Sequence, residues 1–82
     1  MNLRDFLDAI STHLVDHGAV PVRAYLGRRA IVGLRASLRA YVGPCANCLR
    51  TLDGEAYLGL LFGVHVYADL QAHPDALRME GE

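Results

Sequence analysis

The stretch from Tyr57 to Leu70, YLGLLFGVHVYADL, constrains the fold more than any other part of the chain. It is the most apolar run in the sequence. Gly59 and Gly63 each weaken a helix there, and the β-branched and aromatic residues around them are those a strand favours. Read at period two, one face carries Leu58, Leu60, Phe62, Val64, Val66, Ala68 and Leu70, and the other Tyr57, Gly59, Leu61, Gly63, His65, Tyr67 and Asp69. The first face is wholly apolar and the second half so. The expectation is a single central strand whose apolar face the rest of the chain must cover.

Eighty-two residues make one domain over 1–82, near the size where a single core only just outweighs chain entropy. Self-association is a natural supplement for such a chain. With 52% hydrophobic and 21% charged residues the sequence is globular rather than disordered. The longest apolar run is too short and too broken by glycine to span a bilayer, and MNLRDFLDAI carries acids and no apolar leader segment. No membrane partner and a cytoplasmic location are therefore expected.

Residues Leu3 to His17 set Leu3, Phe6, Leu7, Ile10 and Leu14 on one helical face. Asn2 is placed to cap that helix, Asp5 and Asp8 favour its positive end, and Gly18 stops it. Val20 to Leu26 alternates as a short strand, with Pro21 near its start, where a missing ladder N–H does least harm. Gly27 then opens a second helix from Arg28 to about Val42, with Ile31, Leu34, Leu38 and Tyr41 on its apolar face and Gly33 off it, where glycine costs about 1 kcal/mol relative to alanine. Gly43-Pro44 ends it. Residues Ala76 to Glu80 fit either a short edge strand or a single helical turn. The fold class expected is α+β: two helices on one face of a small two- or three-stranded sheet, in the order α-β-α-β-β.

The formal net charge of −1 conceals an asymmetry, because no acid falls between His17 and Leu52 while Arg23, Arg28, Arg29, Arg35, Arg39 and Arg50 all do. Acidic ends can pair with the basic middle on folding; otherwise the arginines form a surface for nucleic acid or an acidic protein. Arg28, Arg35 and Arg39 flank the apolar stripe of the second helix, where their stems either snorkel along the core edge or form a row suited to phosphates and carboxylates.

Cys45-Ala46-Asn47-Cys48 is the one local motif with a mechanism attached. Two thiolates at this spacing grip one zinc through a knuckle, yet a closed site needs four ligands, so His65, His73 or the same knuckle of another copy would have to complete it. A redox pair is helped by a helix N-terminus just after the first cysteine, and none is expected here. Free loop thiols, a zinc knuckle and a disulfide or redox pair thus remain open. His13 and His17, four apart on the edge of the first helix's stripe, have a metal-compatible spacing but no intervening acid or obvious third ligand. No nucleophile elbow, phosphate loop or dinucleotide fingerprint is present, and His65 and Asp69 on one strand lie about 13 Å apart, too far for direct hydrogen bonding.

Leu61 to Asp69, LFGVHVYAD, preceded by a strand and a helix rich in small residues and arginine, resembles a pattern in tailed-phage proteins. It is similar to the major capsid fold and to small phage proteins in which a strand, a helix and a loop lead into a Leu-x-Gly-x-Pro-Val strand; His65 stands at the proline position. The resemblance spans Val20 to Met79. It implies a phage or prophage origin and a role in assembly or in binding a host protein, and it assigns no catalytic residue.

Three functional expectations follow. The leading one is a non-enzymatic protein–protein interaction or assembly module, a homo-oligomer or partner binder using Tyr25, His65 and Tyr67 on the open sheet face and Arg28, Arg35 and Arg39 beside it. The second is a zinc-stabilised module that holds metal through Cys45 and Cys48 and binds nucleic acid. The third is a thiol redox protein.

Overall fold

The computed structural model describes residues 1–42, 49 and 56–82. The elements run α1 (Leu3–His17), β1 (Arg23–Leu26), α2 (Arg28–Val42), β2 (Tyr57–Leu61), β3 (Val64–Ala68) and β4 (Leu77–Glu80). The α+β class holds, with four strands among the described residues rather than two or three. They form one mixed sheet in the order β2-β3-β1-β4, in which β1 runs parallel to β3 and antiparallel to β4.

Helix α1 is set by its ends. Asn2 Oδ1 accepts from the Asp5 N–H at 2.9 Å, and Asp5 Oδ2 accepts from the Asn2 N–H at 3.1 Å, a reciprocal capping box. At the other end Gly18 takes φ 74° and donates its N–H to the Leu14 carbonyl at 2.8 Å. The helix is rolled so that Phe6 is fully buried and Leu3 and Ile10 pack beside it, while Leu7 and Leu14 stay 41% and 44% exposed. The expected five-residue stripe is thus only partly used, because α1 leans on the margin of the layer, against α2 and β4.

Gly33 explains how the helices meet. A Cβ there would run into the backbone of Met1, so glycine lets the start of α1 cross α2 at close range. The Leu3 N–H donates to Ser37 Oγ at 2.8 Å at the same crossing. Gly27 has a similar role just before the start of α2, where a Cβ would meet the backbone of His73 and Pro74. That approach lets the Pro74 carbonyl accept from the Arg29 and Ala30 N–H groups at 2.8 and 3.0 Å, satisfying two amides that a helix start otherwise leaves unpaired.

The apolar run is where the expectation fails. Tyr57 to Leu70 is a hairpin, not one strand: β2 and β3 pair antiparallel around Phe62-Gly63, with φ 51° and 78°. Positive φ at both central residues is the primed turn that matches strand twist. A bulge between Tyr57 and Gly59, where Gly59 takes φ 133°, then shifts the alternation in β2. Leu58 and Leu61 consequently both face the core with Val64 and Val66, whereas Leu60 and Phe62 are 54% and 56% exposed. The parallel partner of β1 is therefore β3, the second arm of the hairpin, and β4 settles the last segment as an edge strand.

Ala24, Leu26, Leu58, Leu61, Val64 and Val66 of the sheet join Phe6, Ala30, Ile31, Leu34 and Leu38 of the helices in one core, with Leu49 added from the segment between. At about 25 cal/mol per Å² of apolar surface removed from water, this cluster is the main source of stability. Leu77 and Met79 of β4 pack against its edge. Both helices are thus spent on one side of the sheet.

Candidate interaction face

The alternation that buries Ala24, Leu26, Val64 and Val66 turns Arg23, Tyr25, His65 and Tyr67 to the reverse side. Strand pairing extends these into two rows across the four strands. Leu60, His65, Arg23 and Glu80 are register partners in one row, and Tyr57, Tyr67, Tyr25 and Arg78 in the other. None of the eight belongs to the buried core.

The second row is a continuous stack. Tyr57 and Tyr67 have ring centroids 5.2 Å apart, Tyr67 and Tyr25 5.3 Å at an interplanar angle of 21°, and the Arg78 guanidinium carbon sits 4.3 Å from the Tyr25 ring centre. These spacings are those of favourable aromatic and cation–π pairs, and they arise because adjacent strands are about 4.8 Å apart. Tyr25 is therefore held between Tyr67 on one side and Arg78 on the other.

The first row is hydrogen-bonded into the second. Tyr57 Oη lies 3.0 Å from His65 Nδ1. Glu80 bridges two arginines, with Oε1 2.9 Å from Arg23 Nε and Oε2 2.9 Å from Arg78 Nη1. The hydrogen bond from Arg23, helped by the nearby positive charges of both arginines, holds the Glu80 carboxyl below the usual carboxylate range despite its partial desolvation. Glu80 in turn raises the Arg23 pKa above its ordinary value, chiefly through that hydrogen bond. The face thus grades from exposed Leu60 and Phe62 at the hairpin, through half-buried tyrosines, to a charged trio at the β4 edge.

The structure brings Tyr25, His65 and Tyr67 together as expected and does not bring Arg28, Arg35 and Arg39 to them. Those arginines belong to α2, whose Ala30, Ile31, Leu34 and Leu38 pack on the opposite side of the sheet. The charged groups beside the tyrosines are instead Arg23, Arg78 and Glu80. They were missed because their positions on one face depend on strand order, although alternation along Leu77 to Glu80 already puts Arg78 and Glu80 on opposite sides of Met79 in sequence and so on one face.

Cys45 and Cys48 lie outside the described residues. Of the histidines proposed to complete a zinc knuckle, His65 is engaged by Tyr57, and His73 Nδ1 accepts from the Asp75 N–H at 3.1 Å. The His13 and His17 rings lie 4.3 Å apart, and His13 Nδ1 is 3.2 Å from the Ala19 carbonyl oxygen. They line a groove of about 710 Å³ with Val20, Met79 and Glu82. Among the described residues no three His, Cys, Asp or Glu side chains converge as a metal-binding group, and no helix is long and apolar enough to cross a membrane.

An α+β chain with both helices on one side of a four-stranded sheet and a tyrosine stack on the other defines the class by architecture alone. No family model, no curated protein and no solved structure matches it.

Proposed function

We propose that the chain is a small non-enzymatic protein–protein interaction or assembly module that binds through the reverse face of its sheet. The observation that carries this reading is the Tyr57–Tyr67–Tyr25–Arg78 stack, left outside the core while both helices cover the other side. Tyrosine and arginine are enriched among the residues that dominate protein interfaces, tyrosine because it presents large amphipathic area with few torsions to freeze and arginine because its planar guanidinium both stacks and hydrogen-bonds. Here cross-strand packing has already fixed those torsions, which lowers the ordering cost of binding. Leu60 and Phe62 add apolar surface at one end, and Tyr57, His65 and Glu80 supply hydrogen-bonding groups. An assembly role is in keeping with the tailed-phage likeness of Leu61 to Asp69.

The same geometry speaks against single-stranded nucleic acid as the ligand. Sheet-based RNA readers offer flat aromatic faces to two or three bases. In this chain the faces of Tyr25 are taken by Tyr67 and Arg78, and the nearby guanidinium groups are tied to one carboxylate.

Affinity capture from an extract of the native source, read by quantitative mass spectrometry, tests the reading. A partner retained by the wild-type chain and by Arg28→Ala/Arg39→Ala, and lost with Tyr25→Ser/Tyr67→Ser, is expected. Retention of every captured protein by the tyrosine variant, or loss with the α2 variant alone, rejects it.

A further inference from the structure

Resting on that reading of the face, we infer that its occupant is a second copy of the chain, stacked sheet to sheet about a two-fold axis running across the strands. Such an axis, lying midway between the two rows, reverses their order and keeps each strand opposite its own counterpart. The row Leu60–His65–Arg23–Glu80 of one copy then faces the row Tyr57–Tyr67–Tyr25–Arg78 of the other. The chemistry matches at every position. Leu60 meets the ring edge of Tyr57, His65 meets Tyr67, the Arg23 guanidinium donates to the outward hydroxyl of Tyr25, whose ring faces Tyr67 and Arg78 already fill, and Glu80 faces Arg78.

The alternative two-fold axis, along the strands, fails the same comparison. It reverses the strand order, so that Leu60 would face Glu80 and Tyr57 would face Arg78 at both ends. An apolar side chain would then desolvate a carboxylate held by two arginines. The order of side chains across the face therefore selects one symmetry operator as well as a partner.

The size of the face fixes how tight this pairing is. Four strands about 4.8 Å apart and about five residues long make a flat patch of roughly 14 by 17 Å. That falls well below the roughly 800 Å² per partner of a standard stable interface, so the pairing belongs to the weak, concentration-dependent class. Exposed Leu60 and Phe62 at the hairpin extend it without bringing it into the obligate range.

Charge exchange across the axis supplies the test. Glu80→Arg alone sets like charges against Arg78 of the other copy, and Arg78→Glu alone sets them against Glu80. An equimolar mixture of the two variants has opposite charges at both ends of a mixed pair. Sedimentation equilibrium from about 10 µM to about 1 mM, a range spanning weak pairing, is expected to show the wild-type mass rising toward twice the monomer. Each variant alone should remain monomeric, and the mixture should associate again as a hetero-pair. A wild-type chain monomeric throughout, single variants that associate like wild type, or a mixture as monomeric as its components would overturn the inference. Should either exchange fail to fold, Leu60→Asp, at an exposed position, must abolish association in its place. A monomeric wild-type chain whose Tyr25→Ser/Tyr67→Ser variant still loses a captured protein removes the second copy and leaves the interaction face standing. A single-stranded oligonucleotide that shifts the wild-type but not the Tyr67→Ser chain removes both.

Discussion

Tyr25 and Tyr67 stand opposite each other on the parallel central strands, their ring centroids 5.3 Å apart and their planes 21° from parallel. The pair ties the two parallel strands, which the chain joins only through α2 and the first arm of the hairpin. It also sets the centre of the face on which the functional reading rests.

Removing one ring should be felt as stability. Tyr67 packs between Tyr25 and Tyr57, and each aromatic pair contributes about 0.5–1.5 kcal/mol beyond area burial. Tyr67→Ala is expected to lower unfolding stability by about 2 kcal/mol in urea titration with the slope unchanged. A loss below about 0.5 kcal/mol, the range of an ordinary surface change, would show that the stack does not form.

The hairpin turn carries a residue its backbone does not suit. Phe62 holds φ 51° and is 56% exposed, so its side chain gains little from burial while its backbone is strained. Phe62→Asn, a residue that tolerates this region, should raise stability by about 0.5–1 kcal/mol. A clear loss in thermal unfolding would mean that the Phe62 ring matters to the fold more than the turn does.

Gly33→Ala separates helix propensity from packing. In an open helix the change adds about 1 kcal/mol of stability. Here the new Cβ meets the Met1 backbone, so the start of α1 must move and the Leu3–Ser37 hydrogen bond is disturbed. Net destabilisation is expected, with faster amide exchange at Leu3; a stability gain near the propensity value would contradict the crossing. Gly27→Ala should cost more, because it displaces the carbonyl that caps α2.

Acid should reveal Glu80. Its folded-state pKa is lowered by the Arg23 hydrogen bond, so its contribution is present above the unfolded carboxylate value and is lost as pH falls through the folded one. Arg23, whose folded value is raised, contributes below its unfolded value and loses that only in strong alkali. Glu80→Gln is therefore expected to be less stable than wild type at neutral pH, with the difference closing as the pH drops below the usual carboxylate range. A difference that is independent of pH would place the effect in packing rather than charge.

Much of this architecture is written locally. Asn2, Asp5 and Gly18 mark both ends of α1, and Gly27 with the Ile31–Leu34–Leu38 spacing marks α2, because caps and helical period are short-range properties. The hairpin is not legible in the same way. Phe62-Gly63 lacks the Asn-Gly or Asp-Gly signature of its turn, and a continuous apolar run has no period to break. The bulge at Gly59 then exchanges Leu60 for Leu61 in the core, which no alternation rule anticipates. The site was half legible for a related reason. Tyr25, His65 and Tyr67 share a face by parity within each strand, whereas their true charged neighbours Arg23, Arg78 and Glu80 are set by strand order, and Arg28, Arg35 and Arg39 follow the helix to the other side.

The four tyrosines provide the most direct measurement of the account. Three stand on the reverse face, and Tyr41, on α2, is 79% exposed away from it. Nitration of the chain alone and in its bound state, mapped by peptide mass spectrometry, should show Tyr25, Tyr57 and Tyr67 losing reactivity on binding while Tyr41 keeps it. Protection of Tyr41 with the other three unchanged would put the binding surface on the helices and contradict the account.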